Sequence, residues 1–267
     1  MMPTEICMEM RAEKNLTLPY FSGYVSRGLL LHIIRAVNPS LASEMHEANV
    51  PKPYSVTPFI FRKAGKNEKG YVVDASQPIK TCFRFLRDEP AEAFLNYFQS
   101  SNTVTIYDTT LTVTTLHVKN EGYDELWNNI TNPAETIKLT FLTPTYLSTQ
   151  GTNYHHMFPD HTRIFTHLAR SWNNFSNHNQ LTKEECTEYE RWLLKNIGVS
   201  QHKIKTTIAY MGEKKATGFT GWVIYELADT SKWNTITQIL AKFAEYANIG
   251  GNRTGGFGVT KTTIKTK

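Results

Sequence analysis

The chain opens on EICMEM, where Ile6, Met8 and Met10 alternate with polar or thiol-bearing neighbours, and this two-residue period predicts a strand with one buried face. SGYVSRGLLLHIIRAV then places Leu29, Leu30, Ile33 and Val37 on one face of a helix. After a loop, VTPFIFRK and KTCFRFLRD read as strands, and DEPAEAFLNYFQS as a helix capped by Asp88 with Pro90 in its first turn. TVTIYDTTLTVTTLHV follows as extended structure, so the first half runs β-α-β-β-α-β. Past the polar stretch NEGYDELWNNITNPAE, a second series begins with the strand AETIKLTFLTPTYL. It continues with helices around HTRIFTHLARSW and KEECTEYERWLLKN and the hairpin IKTTIAYMGEKKATGFTGWVIYEL. In SKWNTITQILAKFAEYANIGG, Ile236, Ile239, Leu240, Phe243 and Ala247 recur at helical spacing and Gly250 reads as the C-cap. FGVTKTTIKTK is β-branched and closes the series as a strand. The same order recurs with one extra helix. The expectation is an α+β protein built from tandem ferredoxin-like (RRM-like) βαββαβ domains, residues 1–120 and 133–267, with a linker near residues 119–134.

Composition supports globular domains: of 267 residues, 40% are apolar and 12% aromatic, enough to bury real cores. A formal net charge of +5 favours an anionic partner and makes nucleic acid a hypothesis to test. Cys7, Cys82 and Cys186 form neither a disulfide framework nor a CxxC pair, which points to a reducing cytoplasm. MMPTEICMEM has acidic residues and no apolar core of a signal peptide, and GLLLHII is far too short to cross a bilayer. The expectation is therefore a cytoplasmic chain with no membrane partner.

One segment departs from ordinary composition. GGNRTGGFGVTK gathers five of the chain's 15 glycines, Gly250, Gly251, Gly255, Gly256 and Gly258, around Arg253. A dinucleotide-binding loop follows a strand and opens a helix, and a phosphate-binding P-loop ends in Gly-Lys-Ser/Thr. Here the order is helix–loop–strand and neither pattern is met. A cap and a tight turn need one or two glycines, so five point to a loop shaped for contact, with backbone N–H groups and Arg253 suited to phosphate oxygens. Lys203, Lys205, Lys214 and Lys215 lie along and beside the tip of the long hairpin, as an RNA-gripping edge or as a solvated one. NYHHMFPDHTR offers His155, His156 and His161, but their spacing matches no zinc signature, and no metal is expected. No GxSxG appears, and carboxylates such as Glu47 and Asp160 form no recognisable pair.

The doubled order, the terminal loop ending GFG, the phrase LTFLTPTYL, and NPSLASEMHEANVPKPYSVTPF after the first helix together resemble the CRISPR-associated endoribonuclease that processes precursor CRISPR RNA, a member of the RAMP superfamily. In that family the loop reads Gly-aromatic-Gly, five variable residues, Gly-aromatic-Gly. Gly250, Gly256, Phe257 and Gly258 match, whereas Asn248 and Ile249 replace the first glycine and its aromatic neighbour. The resemblance implies RNA contact through Gly250, Gly251, Arg253, Gly255, Gly256, Phe257 and Gly258. It implies catalysis by a histidine matching His46 and a lysine matching Lys52, and no cofactor. The tyrosine that many members carry on the first helix falls on Leu31; the neighbouring His32 is the candidate for a second acid–base group, and reads equally as a surface or hydrogen-bonded buried histidine.

The chemistry fits these residue types. Metal-free RNA cleavage can use the ribose 2′-OH as internal nucleophile, given a base, an acid for the 5′-oxygen and a cation for the developing phosphorane charge. A histidine, ordinarily titrating near pH 6.5, serves as base or acid, and a lysine supplies charge. The expected protein is a metal-independent endoribonuclease, monomer or homodimer, that binds CRISPR repeat RNA and cuts it to leave 2′,3′-cyclic phosphate and 5′-OH ends, with other CRISPR effector subunits as further partners. The rival is a non-catalytic CRISPR-RNA-binding RAMP subunit of an effector complex. A small-molecule-binding ferredoxin-like protein is a third reading, and the glycine loop predicts no pocket for it.

Overall fold

In the computed structural model, which describes residues 2–266 apart from Asn49, Gln150 and Asn153, β1 (Thr4–Ala12) carries Ile6, Met8 and Met10 on its buried face, as the alternation requires. After the short β2 (Thr17–Leu18), α1 (Gly23–Val37) buries Leu29, Leu30, Leu31, Ile33 and Ile34, while Val37 at its last turn is exposed. Asn38 then turns extended, and its side chain accepts a hydrogen bond from Leu41 N at 3.0 Å. With Pro39 in the first turn, this cap starts α2 (Pro39–His46) directly after α1. The apolar run VTPFIFRK does not form one strand. Pro58 has no amide to donate, so pairing is limited to β3 (Tyr54–Val56) and an isolated bridge at Ile60, and the chain moves off into β4 (Lys63–Asn67) and β5 (Gly70–Val73). Those two strands and β2 form a separate three-stranded sheet.

The half closes with β6 (Ile79–Phe85), α3 (Asp88–Ser100), β7 (Thr103–Ile106) and β8 (Thr109–Asn120). Asp88 is the first residue of α3 and Arg87 occupies the cap position, one residue earlier than expected. Cys7 and Cys82 face each other across β1 and β6 and form a disulfide. That corrects the reading of three unpaired cysteines: the pairing is set by strand register between residues 75 apart, which spacing along the chain does not reveal.

The stretch between the halves contains α4 (Tyr123–Asn128), whose Tyr123 and Leu126 are buried in the second core, with Tyr123 edge-on to Trp172. The second half follows with β9 (Ala134–Thr145), the small β10 (Leu147–Ser148) and β11 (His155–His156), α5 (His161–Phe175), α6 (Lys183–Asn196), β12 (Ile197–Met211), β13 (Lys214–Leu227), α7 (Lys232–Ala247), a 3-10 turn at Arg253–Gly255 and β14 (Thr260–Thr266). Ile236, Ile239, Leu240, Phe243 and Ala247 of α7 are all buried.

The two sheets have the same strand order. In the first, β3-β6-β1-β8 runs antiparallel with β7 added at the edge; in the second, β12-β13-β9-β14 runs antiparallel throughout. In each, the opening strand is central, flanked by the third and fourth strands of its βαββαβ unit. The fold is therefore the tandem ferredoxin-like one. Each sheet has its own apolar cluster: Ile6, Leu16 and Phe83 belong to the first, and Phe141, Tyr225 and Tyr246 to the second. No helix among the described residues is long and apolar enough to cross a membrane.

Candidate RNA-processing site

The last residue of α2 is His46, which stands exposed, and the chain turns there because Glu47 leaves the helix with an extended backbone. Five residues on, Lys52 reaches back so that its amino group donates to the Glu47 carbonyl, which ties the lysine to the foot of the loop that bears His46. Burial is the first cause that lowers the Lys52 pKa below that of an ordinary lysine, the Arg27 guanidinium is the second, and Glu47 opposes both. Arg27, on α1, is thus part of the same cluster. Tyr54, at the start of β3, completes it from below: its side chain is fully buried, and its hydroxyl has no hydrogen-bond partner of ordinary geometry. Burial raises the Tyr54 pKa, while Arg27 and Thr254 stand close enough to oppose that rise. Two cations close to the end of the helix that presents an exposed imidazole can hold and polarise an anion such as a phosphodiester.

Arg27, Tyr54 and Thr254 are absent from the sequence-based expectation. They come from a helix, a strand and the glycine turn, and only the packing of β3 and α1 against that turn brings them together. The one local signal is that Arg27 is the sole permanently charged residue in the first half of α1. Leu31, at the position of the family tyrosine, is buried in the core and supplies no acid–base group. His32 lies about 140° around α1 from Arg27, where it lines a different groove with Tyr24 and Tyr107.

The glycine loop is shaped for contact, but much of that contact is with its own chain. An added Cβ at Gly23 would run into the Gly255 carbonyl, one at Gly250 into the Tyr146 carbonyl, and one at Gly258 into the Ile249 carbonyl. Gly250, Gly256 and Gly258 also have φ of +86°, +84° and +68°, the left-handed region. The amides of Gly251, Gly255, Gly256 and Gly258 donate to Tyr146, Asn252, Arg253 and Pro144 carbonyls at 2.9, 2.9, 3.2 and 3.1 Å. Phe257 is fully buried, tilted against Phe21. Arg253 turns inward: its Nη1 donates to Ala247 O at 2.7 Å, satisfying a carbonyl left free at the end of α7. Burial lowers its pKa to about 10, so it remains a cation at neutral pH.

The C-cap of α7 is Asn248, not Gly250, with φ +57°. Asparagine tolerates that conformation, and here its side chain does what a glycine could not. Arg84 Nη1 donates to its Oδ1 at 2.6 Å, and its Nδ2 donates to Phe257 O at 3.1 Å. The Arg84 Nε in turn donates to Glu5 at 2.6 Å. The departure from the family pattern is thus a buried polar link between the two halves.

Of the other candidates, His155 stacks on Tyr146 with ring centroids 4.2 Å apart, while His156 and His161 each keep a buried Nε2 without a partner. Among the described residues the only trio of potential metal ligands is Glu5, Cys7 and Cys82, and its two sulfurs are joined to each other. Lys203, Lys205, Lys214 and Lys215 are all exposed on the β12–β13 hairpin.

The comparisons with known proteins agree with this architecture. The sequence model of the CRISPR-associated endoribonuclease Cas6 family matches residues 139–260, just under half of the chain, from β9 through the glycine loop into β14. Among solved structures, a Cas6 product complex is similar at a TM-score of 0.80 with 20% identity, covering 98% of this chain and 99% of that one. Thermus thermophilus Cas6 matches at 0.74 and 20% identity over 98% of both chains, and a protein from a Cas6-related gene of Pyrococcus furiosus at 0.64 and 13% over 98% of both. No curated protein sequence matches. The resemblance to the CRISPR-associated endoribonucleases read from the sequence is thereby borne out. The family match includes the glycine loop and stops short of the half that carries His46 and Lys52.

Proposed function

We propose that the chain is a metal-independent endoribonuclease that binds the repeat of a CRISPR transcript and cuts precursor CRISPR RNA within it. The single observation that carries this reading is the convergence of Arg27, Lys52 and the buried Tyr54 hydroxyl close to the end of the helix that presents His46. The resemblance to Cas6 proteins, two of them determined as a product complex and a substrate mimic complex, gives the RNA class.

In this reading Arg27, backed by the buried Tyr54 hydroxyl, holds the scissile phosphate. His46 takes the proton of the neighbouring ribose 2′-OH as its oxygen bonds to phosphorus. The P–O5′ bond breaks, and the leaving 5′-oxygen receives a proton from the Lys52 ammonium, which burial and Arg27 make a readier donor than a free lysine. The products are a 2′,3′-cyclic phosphate and a 5′-OH, and the lysine regains its proton from solvent. The cationic pair offsets charge gathering on the phosphorane. The domain assignment that goes with this reading gives the catalytic loop to residues 1–120 and the glycine loop to residues 133–267.

The test is a repeat RNA, taken from the genomic neighbourhood of the gene, with one 2′-deoxy nucleotide immediately upstream of the scissile phosphate. It should bind like the natural RNA, because phosphate charge dominates affinity, and remain uncut. Excess chelator should leave cleavage of the natural RNA unaffected. Cutting of the deoxy substrate, or loss of activity in chelator that Mg²⁺ restores, would overturn the mechanism. Binding of the natural RNA without any cleavage would favour the non-catalytic RAMP subunit.

A further inference from the structure

A groove of about 490 Å³ lies on the far side of α1 from Lys52, between α1, the β7–β8 turn and the tip of the β12 hairpin. Its floor is apolar, made by Phe21, Leu29 and Met211; its rim carries Tyr24, Tyr107 and His32. The volume falls in the range of small-molecule sites, roughly 300–1,000 Å³. The hairpin is fastened here by a hydrogen bond from Phe21 N to Tyr210 O at 2.9 Å, so both halves of the chain build the groove.

Tyr107 is the unexpected residue. Ile106 pairs with Thr109, which leaves Tyr107 and Asp108 as a two-residue hairpin turn, and Tyr107 has φ +55°. That first turn position normally takes glycine, and a bulky side chain there is a backbone outlier of the sort found where function requires it. The ring gains little by folding, since Tyr107 is 64% exposed. A strained position therefore holds an exposed aromatic face over an apolar groove. Tyr24, 41% exposed, forms the ridge between this groove and the glycine turn, where its hydroxyl accepts a hydrogen bond from Asn252 Nδ2 at 2.7 Å. Arg27 follows one turn further along the same helix.

We propose that this groove receives one unpaired nucleobase of the bound RNA, stacked against Tyr107 and Tyr24 and hydrogen-bonded at its edge by His32. The inference rests on the proposed function and deepens it: a strand whose scissile phosphate lies at Arg27 can pass over the Tyr24 ridge and place a neighbouring base on the other face of α1. A planar heterocycle matches the chemistry of the groove, because any base offers a π-face to a tyrosine and an edge with donors and acceptors to an imidazole. His32 thereby becomes a residue that selects RNA instead of one that moves the reacting proton.

The experiment uses the full chain and a panel of repeat RNAs, each with a single abasic nucleotide. Wild-type protein should show one position, outside the scissile dinucleotide, where loss of the base weakens binding by about five- to a hundredfold, the usual worth of one stacked base. Tyr107→Gly should weaken binding of intact RNA by a similar factor, and at that one position the two losses should not add. Glycine suits the positive φ, so the variant should melt no earlier than wild type, which separates a lost contact from a lost fold. His32→Ala should show the same position-specific non-additivity with a smaller loss. If both variants bind intact RNA as wild type does, or if their losses add at every abasic position, the groove is not a base site. If the wild-type protein neither binds nor cuts the natural repeat, the proposed function fails and the groove proposal falls with it; cutting by wild type with indifferent groove variants brings down the groove proposal alone.

Discussion

The segment after His46, which carries Lys52, and the loop that carries the glycines both come up to Arg27 and Tyr54 and are built on opposite principles. Glu47, Ala48, Val50 and Pro51 are exposed, and the half-buried Lys52 is held by one hydrogen bond to a backbone carbonyl. Residues 250–258 are wedged between α1, β3 and the end of β9, with most of their amides engaged inside the chain and left-handed backbone at three glycines. The proposed reacting groups His46 and Lys52 are free to meet a substrate, and the frame that positions Arg27, Tyr54 and Thr254 is closely packed. Substitutions in the two loops should therefore fail in different ways.

The largest separation should come from His46→Ala. With an exposed side chain at a helix end, the variant should unfold at the same denaturant concentration as wild type, while single-turnover cleavage falls by roughly 10²–10⁴-fold, the usual worth of acid–base catalysis. Retained cleavage would remove His46 from the mechanism; a large loss of stability would break the comparison.

Gly258→Ala should do the reverse. The added Cβ meets the Ile249 carbonyl at a φ of +68°, so neither backbone can yield cheaply, and a loss of at least about 3 kcal/mol is expected in urea unfolding. Gly198→Ala is the internal control: a Cβ there meets nothing within 4 Å, and stability should change by less than about 0.5 kcal/mol. Equal effects at the two glycines would show that the loop is soft.

What the sequence revealed, and what it hid, follows from the same contrast. Periodicity reports on one element at a time, so the alternation of Ile6, Met8 and Met10 and the helical stripe of α7 were both legible, and their order sufficed for the doubled ferredoxin-like topology. Interruptions were legible only in part: Pro58 divides an apolar run that looks continuous, and the supposed linker hides α4 because Tyr123 and Leu126 are too few to show a period. Pairings between distant elements left no local mark. The Cys7–Cys82 disulfide, the Arg84–Asn248 link and the approach of Arg27 to Tyr54 each depend on register or on the packing of one half against the other. The glycine density marks close approach, and that the partner is largely the chain's own backbone was beyond what composition can specify.

The smallest effect tests whether the glycine loop's surroundings are as closed as its backbone. His167 on α5 has a buried Nδ1 without a partner, and its pKa is lowered to about 4 by burial first and then by Arg253 and Arg170. The folded protein keeps this imidazole neutral, while in the unfolded chain it titrates near its ordinary 6.5. Between those values the unfolded state binds more protons, so the stability contributed is complete above about pH 6.5 and is lost as pH falls toward 4, by roughly 1–3 kcal/mol. A third positive charge beside Arg253 would press on the contact between that guanidinium and the Ala247 carbonyl. His167→Asn removes the titration and retains a polar side chain, so its unfolding midpoint should fall less than that of wild type between pH 7.5 and pH 5. Parallel losses in the two proteins would mean that His167 takes up its proton without cost, and that the ground behind the glycine loop is open to water after all.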